Sequence, residues 1–205
     1  RLPIDVKQLG VDFLSLSAHK LHGPKGTGLL YVKRKTRYRP YVVGGGQEQG
    51  RRGGTENVAG IVGFGRAAEL AQRHLLEENG RIRELRDRLE QGILDRIPGV
   101  TRHGAGEPRL VNTSNLSFDG VEAEGILLLL DQLGICVSSG SACTSGSLDP
   151  SHVLLAMGCS VARARGSVRF SLGVDNTEAD VNYVLEQLPG VIAKLRANPQ
   201  KAAQA

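Results

Sequence analysis

The chain has 205 residues, 40% hydrophobic and 23% charged, with 27 glycines and a formal net charge of +5. This is the composition of an ordinary soluble chain, long enough to bury a real core and to make one domain or two small ones. The longest strictly apolar run, Ile126 to Leu130, is far too short to span a bilayer, and no membrane partner is expected. No basic-apolar-small segment opens the chain, so export is not expected either. The three cysteines, Cys136, Cys143 and Cys159, are odd in number and lack C-x-x-C spacing, which argues against a disulfide framework or a zinc site and for a reducing cytoplasm.

The sequence starts at Arg1-Leu2-Pro3-Ile4-Asp5 without a methionine and reads as the middle of a fold. Asp5 to Leu9 fits a helical turn or two. Val11 to Leu16 predicts a short buried strand that ends in Ser17, His19 and Lys20; a Gly/Pro loop and a second strand, Gly28 to Lys33, follow. A lysine at the exposed end of a strand, between a hydroxyl and an imidazole, is placed to meet an anionic, carbonyl-bearing ligand, and its amine can form a Schiff base there. The simpler reading is a surface lysine at a strand end. The basic cluster Lys33, Arg34, Lys35, Arg37 and Arg39 around Tyr38 has no nucleic-acid motif beside it and reads as a solvated loop.

Tyr41 to Asn57 carries six glycines together with Arg51, Arg52 and Thr55. It can be a flexible linker or an anion-binding loop whose backbone approaches its ligand closely. From Asn57 the periodicity is helical up to Glu78, with a stop or kink at Asn79-Gly80. A second helix then carries Ile82, Leu85, Leu89 and Ile93 and ends at Pro98-Gly99. Its arginines and glutamates predict a solvated face of i,i+4 pairs. Asn115 to Phe118 is a strand, Asp119-Gly120 a turn, Glu122 to Leu133 a largely buried helix closed by Gly134, and Ile135 to Val137 a short strand.

The small-residue run Ser138 to Ser147 follows, and then a helix with Asp149 as cap and Pro150 as first helical residue. Val168 to Leu172 alternates as a strand, with Arg169 on the face opposite Val168 and Phe170. Thr177 to Asp180 resembles a capping box for the last helix, which bends at Pro189 and resumes; the Ala/Gln/Lys tail after Arg196 reads as frayed. Cys136 reads as inert core and Cys159 as a turn residue. Cys143 lies in a polar small-residue loop, where a packing role gains nothing and a reactive thiol does.

Four stretches in this order resemble the cysteine desulfurases of the NifS/IscS type, in the class V aminotransferase group. They are Ser17-Ala18-His19-Lys20 with Gly23-Pro24-Lys25-Gly26, Arg52-Gly53-Gly54-Thr55-Glu56-Asn57, Ser138-Ser139-Gly140-Ser141-Ala142-Cys143, and Arg169-Phe170-Ser171-Leu172. The resemblance implies an α/β pyridoxal-phosphate transferase fold (type I): the end of the large α/β domain over residues 1–64, then a linking helix and small α+β C-terminal domain over 65–205. Lys20 resembles the lysine that holds pyridoxal 5'-phosphate as a Schiff base. Ser17 and His19 match phosphate-binding groups, and Thr55 matches a threonine that reaches the phosphate of the neighbouring subunit, which implies a homodimer. Cys143 matches the nucleophile that becomes a persulfide, and Arg169 the arginine that clamps the substrate carboxylate.

The implied activity removes sulfur from L-cysteine, gives L-alanine, and passes the persulfide sulfur to an iron–sulfur scaffold or another acceptor protein. The extended loop around Cys143 is similar to the nitrogen-fixation and housekeeping type. The resemblance covers the C-terminal half of a full-length member. The aspartate for the pyridinium nitrogen, the ring-stacking histidine and an ortho-oxygen partner are therefore expected upstream of Arg1. The chain departs from the pattern at Gln49, at Val174-Asp175-Asn176, and over Cys159 to Gly166 with Arg163 and Arg165. Two rivals remain: a selenocysteine lyase or other class V transferase, and a non-catalytic truncated module for dimerisation or sulfur relay. The cysteine loop argues against an ordinary aminotransferase, and intact Lys20, Cys143 and Arg169 argue against a decayed copy.

Overall fold

Asp5 starts the first helical turn, α1 (Val6–Leu9): its Oδ1 accepts from the backbone N–H of Lys7 at 2.8 Å and of Gln8 at 3.3 Å. The computed structural model describes residues 2–139 and 150–197, which divide into two compact units meeting between Leu76 and Glu77. In the first unit, β1 (Phe13–Ser17) pairs antiparallel with β2 (Gly28–Val32), Ser17 opposite Gly28. The expected buried strand is not observed. It starts at Phe13, not Val11, and alternates between exposed and half-buried positions. Among the described residues β1 and β2 form a sheet of two strands, so no third strand flanks β1 to cover it.

Asn57 caps α2 (Val58–Arg73), its Oδ1 accepting from Gly60 N–H at 3.0 Å. The helix ends at His74, not at Asn79-Gly80, and Gly80 lies inside α3 (Leu75–Arg96). Gly80 keeps a negative φ, so it gives no left-handed stop.

The second unit is built on α3 and a three-stranded antiparallel sheet in the order β3 (Val100–Arg102), β4 (Thr113–Phe118), β5 (Ser167–Ser171). One face of that sheet presents Leu116, Phe118, Val168 and Phe170 to a core completed by Ile82, Leu89 and Ile93 of α3, by α4 (Ala123–Asp131) and by α7 (Glu178–Ala197). Two short helices, α5 (His152–Ala156) and α6 (Val161–Arg165), precede β5. Helix α5 starts two residues later than expected, after Ser151, with Pro150 outside it; Asp149 lies outside the described residues, as does the chain from residue 198. Ile135 to Val137 does not form the expected strand: the only bridge in this region among the described residues is Ser138 with Arg169. Without ladder bonds to hold it inward, Cys136 is exposed, not core.

The arginines of α3 do not form the expected solvated face of i,i+4 pairs. They reach carbonyls and carboxylates on other segments: Arg81 donates to the Val174 and Asn176 carbonyls, Arg88 to Glu178 and Asn182, and buried Arg86 to the carbonyls of Leu110 and Thr113. Arg96 solves a specific problem. Pro189 sits inside α7, which runs through it uninterrupted, and proline has no N–H to offer the Leu185 carbonyl one turn back. Arg96 Nη1 donates to that carbonyl at 2.8 Å. The helices come close here: a Cβ on Gly92 would lie 2.8 Å from the Leu185 methyls.

Glu90 of α3 is 2% exposed and accepts four hydrogen bonds: two from Arg109 at 2.6 Å, one from Arg102 at 2.9 Å and one from Ser114 at 2.7 Å. Burial pushes its pKa up, but the bonds from Arg109, Ser114 and Arg102, with the Arg109 charge, outweigh burial and lower it from 4.5 to about 2. A carboxylate with a lowered folded-state pKa adds stability that is fully present above its unfolded value. That stability is lost as pH falls from there through the folded value. Glu90→Ala should remove about 3–5 kcal/mol at pH 7 by urea unfolding, because it strands Arg109 and Ser114. It should also flatten the acid dependence of stability between pH 4.5 and about 2. Parental stability in the variant would show that the network carries no weight.

Candidate active site

Ser17, His19 and Lys20 are brought together by a change of direction at the end of β1. The strand register runs out at Ser17, Ala18 N–H still bonds the Thr27 carbonyl at 3.0 Å, and Ala18 to Leu21 then wind into a 3-10 turn. His22 closes the turn in the left-handed region, and Gly23 N–H returns to the Ala18 carbonyl at 2.9 Å. Ala18 is fully buried. Helix α2 clamps the turn from outside: a Cβ on Gly23 would sit 3.2 Å from that of Ala67, and one on Gly63 2.7 Å from Pro24 Cγ. The buried alanine therefore anchors a turn whose Ser17, His19 and Lys20 side chains are all exposed.

None of those three side chains is engaged by another group among the described residues, and the Ser17 hydroxyl does not cap its own turn. Nearby, Thr27 Oγ1 is buried without a partner. A hydroxyl, an imidazole and a primary amine at one turn fit a phosphate beside an aldehyde, as in pyridoxal phosphate: the first two suit the anion, and the amine suits the carbonyl. Lys25, by contrast, lies in the loop between the strands.

The glycine-rich segment is an ordered loop, not a flexible linker. Gln47 and Arg52 bridge across a tight reversal in which Glu48, Gln49 and Gly50 all take left-handed backbone conformations. Arg52 is spent on the loop itself, donating to the carbonyls of Gly53 at 3.1 Å and Gly54 at 2.8 Å, with Glu48 at 3.9 Å. Of the expected anion donors, exposed Arg51 and Thr55 therefore remain.

In the second unit Arg169 lies opposite Asn115 on the polar face of the sheet and exchanges backbone bonds with Ser138, at 2.7 and 3.2 Å. Its Nε is buried without a hydrogen-bond partner among the described residues, as is Asn115 Oδ1. A guanidinium with an unused donor suits a carboxylate. Cys143 lies outside the described residues. One group escaped the sequence reading: Cys159 Sγ is 3.3 Å from His103 Nδ1. No motif joins two residues so far apart in the chain, and only the folded sheet places them side by side.

The family model for class-V aminotransferases matches residues 1–184. A cysteine desulfurase of Gluconacetobacter diazotrophicus is 57% identical over 196 residues, 96% of this chain and 49% of that protein. The cysteine desulfurase NifS of Azotobacter vinelandii is 50% identical over the same shares. A solved NifS-like protein superposes with a TM-score of 0.84 at 38% identity, over 95% of this chain and 50% of its own. The chain thus spans about half the length of the curated relatives it matches.

The loop geometry makes its own prediction. Gly53 is buried, its N–H bonds the Val42 carbonyl at 2.8 Å, and a Cβ there would stand 2.9 Å from the Val43 carbonyl oxygen. Gly53→Ala should cost about 1–3 kcal/mol in urea unfolding and make residues 44–55 more sensitive to proteolysis. Parental stability together with parental protease resistance would show that the loop is not held by this contact.

Proposed function

Since the chain belongs to the class-V aminotransferase family, we infer that it is the C-terminal half of a pyridoxal-phosphate cysteine desulfurase. The fold is the type I fold of pyridoxal-phosphate enzymes. The proposed reaction takes sulfur from L-cysteine, releases L-alanine and leaves a protein persulfide for iron–sulfur cluster assembly. The observation that carries this reading is the turn at the end of β1, which presents the Ser17 hydroxyl, the His19 imidazole and the Lys20 amine side by side and unengaged.

Pyridoxal phosphate, when bound, supplies an electron sink for charge that develops at the substrate Cα. Ser17 and His19 would hold its phosphate, and Lys20 would hold its aldehyde carbon and move the proton taken from Cα. Thr55 would serve the phosphate of a neighbouring protomer, which makes the working unit a homodimer. Arg169 would fix the substrate carboxylate through its planar fork and so orient the sulfur. The Cys143 thiolate would attack that sulfur. A new S–S bond forms as the substrate C–S bond breaks, the bonding pair stays with the departing carbon skeleton, and protonation of that skeleton gives alanine.

Two tests bear on these roles. Borohydride reduction of the full-length enzyme with pyridoxal phosphate, followed by peptide mapping, should place the pyridoxyl group on Lys20; a label on Lys25 would overturn the assignment. Cys143→Ser should keep the cofactor's visible absorbance and lose sulfide release by a factor of about a hundred or more, because a serine hydroxyl is too weakly acidic to replace the thiolate. In the parent, incubation with L-cysteine without reductant should add one sulfur atom to the Cys143 peptide. Added sulfur on another cysteine, or retained turnover in the variant, would sink the role given to Cys143.

A further inference from the structure

On the polar face of the three-stranded sheet, away from the core, four side chains converge. Cys159 Sγ lies 3.3 Å from His103 Nδ1, and His103 Nε2 lies 2.9 Å from Ser117 Oγ and 3.4 Å from Ser167 Oγ. Ser117 and Ser167 are each 1% exposed and stand opposite one another in the β4–β5 ladder, so they hold the imidazole from a rigid base. Cys159 itself is fixed by its N–H to the Leu154 carbonyl at 3.0 Å, and it is half-buried.

Ser167 Oγ donates to the Arg163 carbonyl at 2.7 Å, so toward His103 it can only accept. In the neutral tautomer with its hydrogen on Nε2, donated to the Ser117 or Ser167 hydroxyl oxygen, the Nδ1 lone pair faces the thiol. Burial, and then the charge of Arg163, lower the His103 pKa, which keeps the ring neutral with a lone pair on one nitrogen. A nucleophile, its base and the groups that orient the base are all present.

We propose that Cys159 and His103 form a thiol–imidazole pair that makes Cys159 a modification site for low-molecular-weight, negatively charged disulfides. The Cys159 proton moves to His103 Nδ1 and the thiolate attacks one sulfur of the disulfide. The Cys159–sulfur bond forms as the original S–S bond breaks, and the departing thiolate takes the proton back from His103. One disulfide is exchanged for another, and no outside oxidant is consumed. The Arg163 cation beside the imidazole favours an anionic reagent such as glutathione disulfide over a cationic one.

Exposed Cys136 provides an internal control, since it is accessible but has no imidazole partner among the described residues. Two single-thiol proteins are compared at pH 7: Cys136→Ser with Cys143→Ser, which leaves Cys159, and Cys143→Ser with Cys159→Ser, which leaves Cys136. With glutathione disulfide the first should gain one glutathionyl mass about tenfold faster than the second, despite the lower exposure of its thiol. Adding His103→Gln to the first should remove the advantage, and cystamine should react more slowly than glutathione disulfide. Equal rates for the two thiols, no effect of His103→Gln in a folded protein, or a preference for cystamine would each overturn the proposal. If His103→Gln does not fold, Ser117→Ala replaces it. Loss of that hydroxyl should slow Cys159 several-fold, and an unchanged rate would equally refute the pair.

Discussion

The second unit depends on a carboxylate that is out of the water and still charged. Glu90 projects from α3 into the region where β4 starts, and it can stay ionised there only because Arg109, Arg102 and Ser114 fill its lone pairs. Those partners come from the end of β3, from the connection to β4 and from β4 itself, so one acid fixes three successive pieces of chain against one helix. Apolar packing under the same helix is nondirectional and would tolerate a sliding sheet. The four bonds to Glu90 would not, since moving the strand strands a buried charge. The pin thus fixes where β3 and the start of β4 lie along α3.

The first unit uses the opposite device. Its functional turn is set by small residues that let backbone and helix approach: Ala18 fully buried, Gly23 against the Ala67 methyl, Gly63 against the Pro24 ring. Steric fit leaves the polar side chains of Ser17, His19 and Lys20 outside, since the fully buried position of the turn is taken by the Ala18 methyl group and the next inward one by Leu21. The turn can therefore present three unengaged polar groups without paying desolvation for any of them.

Much of this was legible in the chain. Asp5, Asn57 and Thr177 announced helix starts, and each caps as its chemistry requires. The polar end of the first strand and the core face of α3 followed from composition and period. What period cannot carry is the destination of a long side chain. An arginine on the polar face of α3 reads the same whether its partner is a glutamate one turn away or a group on a distant segment, so the exposure of Arg81, Arg88 and Arg96 is legible while their partners, and the burial of Arg86, are not. Cys136 was misread for a related reason: apolar neighbours predict burial only where a ladder holds the strand, and none forms until Ser138. The break between α2 and α3 fell at His74 because Asn79-Gly80, a stop in isolation, has helical backbone on both sides.

The guanidinium that completes α7 across from Pro189 also bears on the order in which this unit can assemble. A helix ordinarily satisfies its own backbone and can form before anything packs against it. Here the Leu185 carbonyl lacks the usual donor four residues on, since that residue is Pro189, and Arg96, which reaches it, is 89 positions away in sequence. The middle of α7 thus gains its last hydrogen bond only when the first and last helices of the unit have met. Such a bond ties the two ends of the unit's chain to one another through a long-range contact and not a local one.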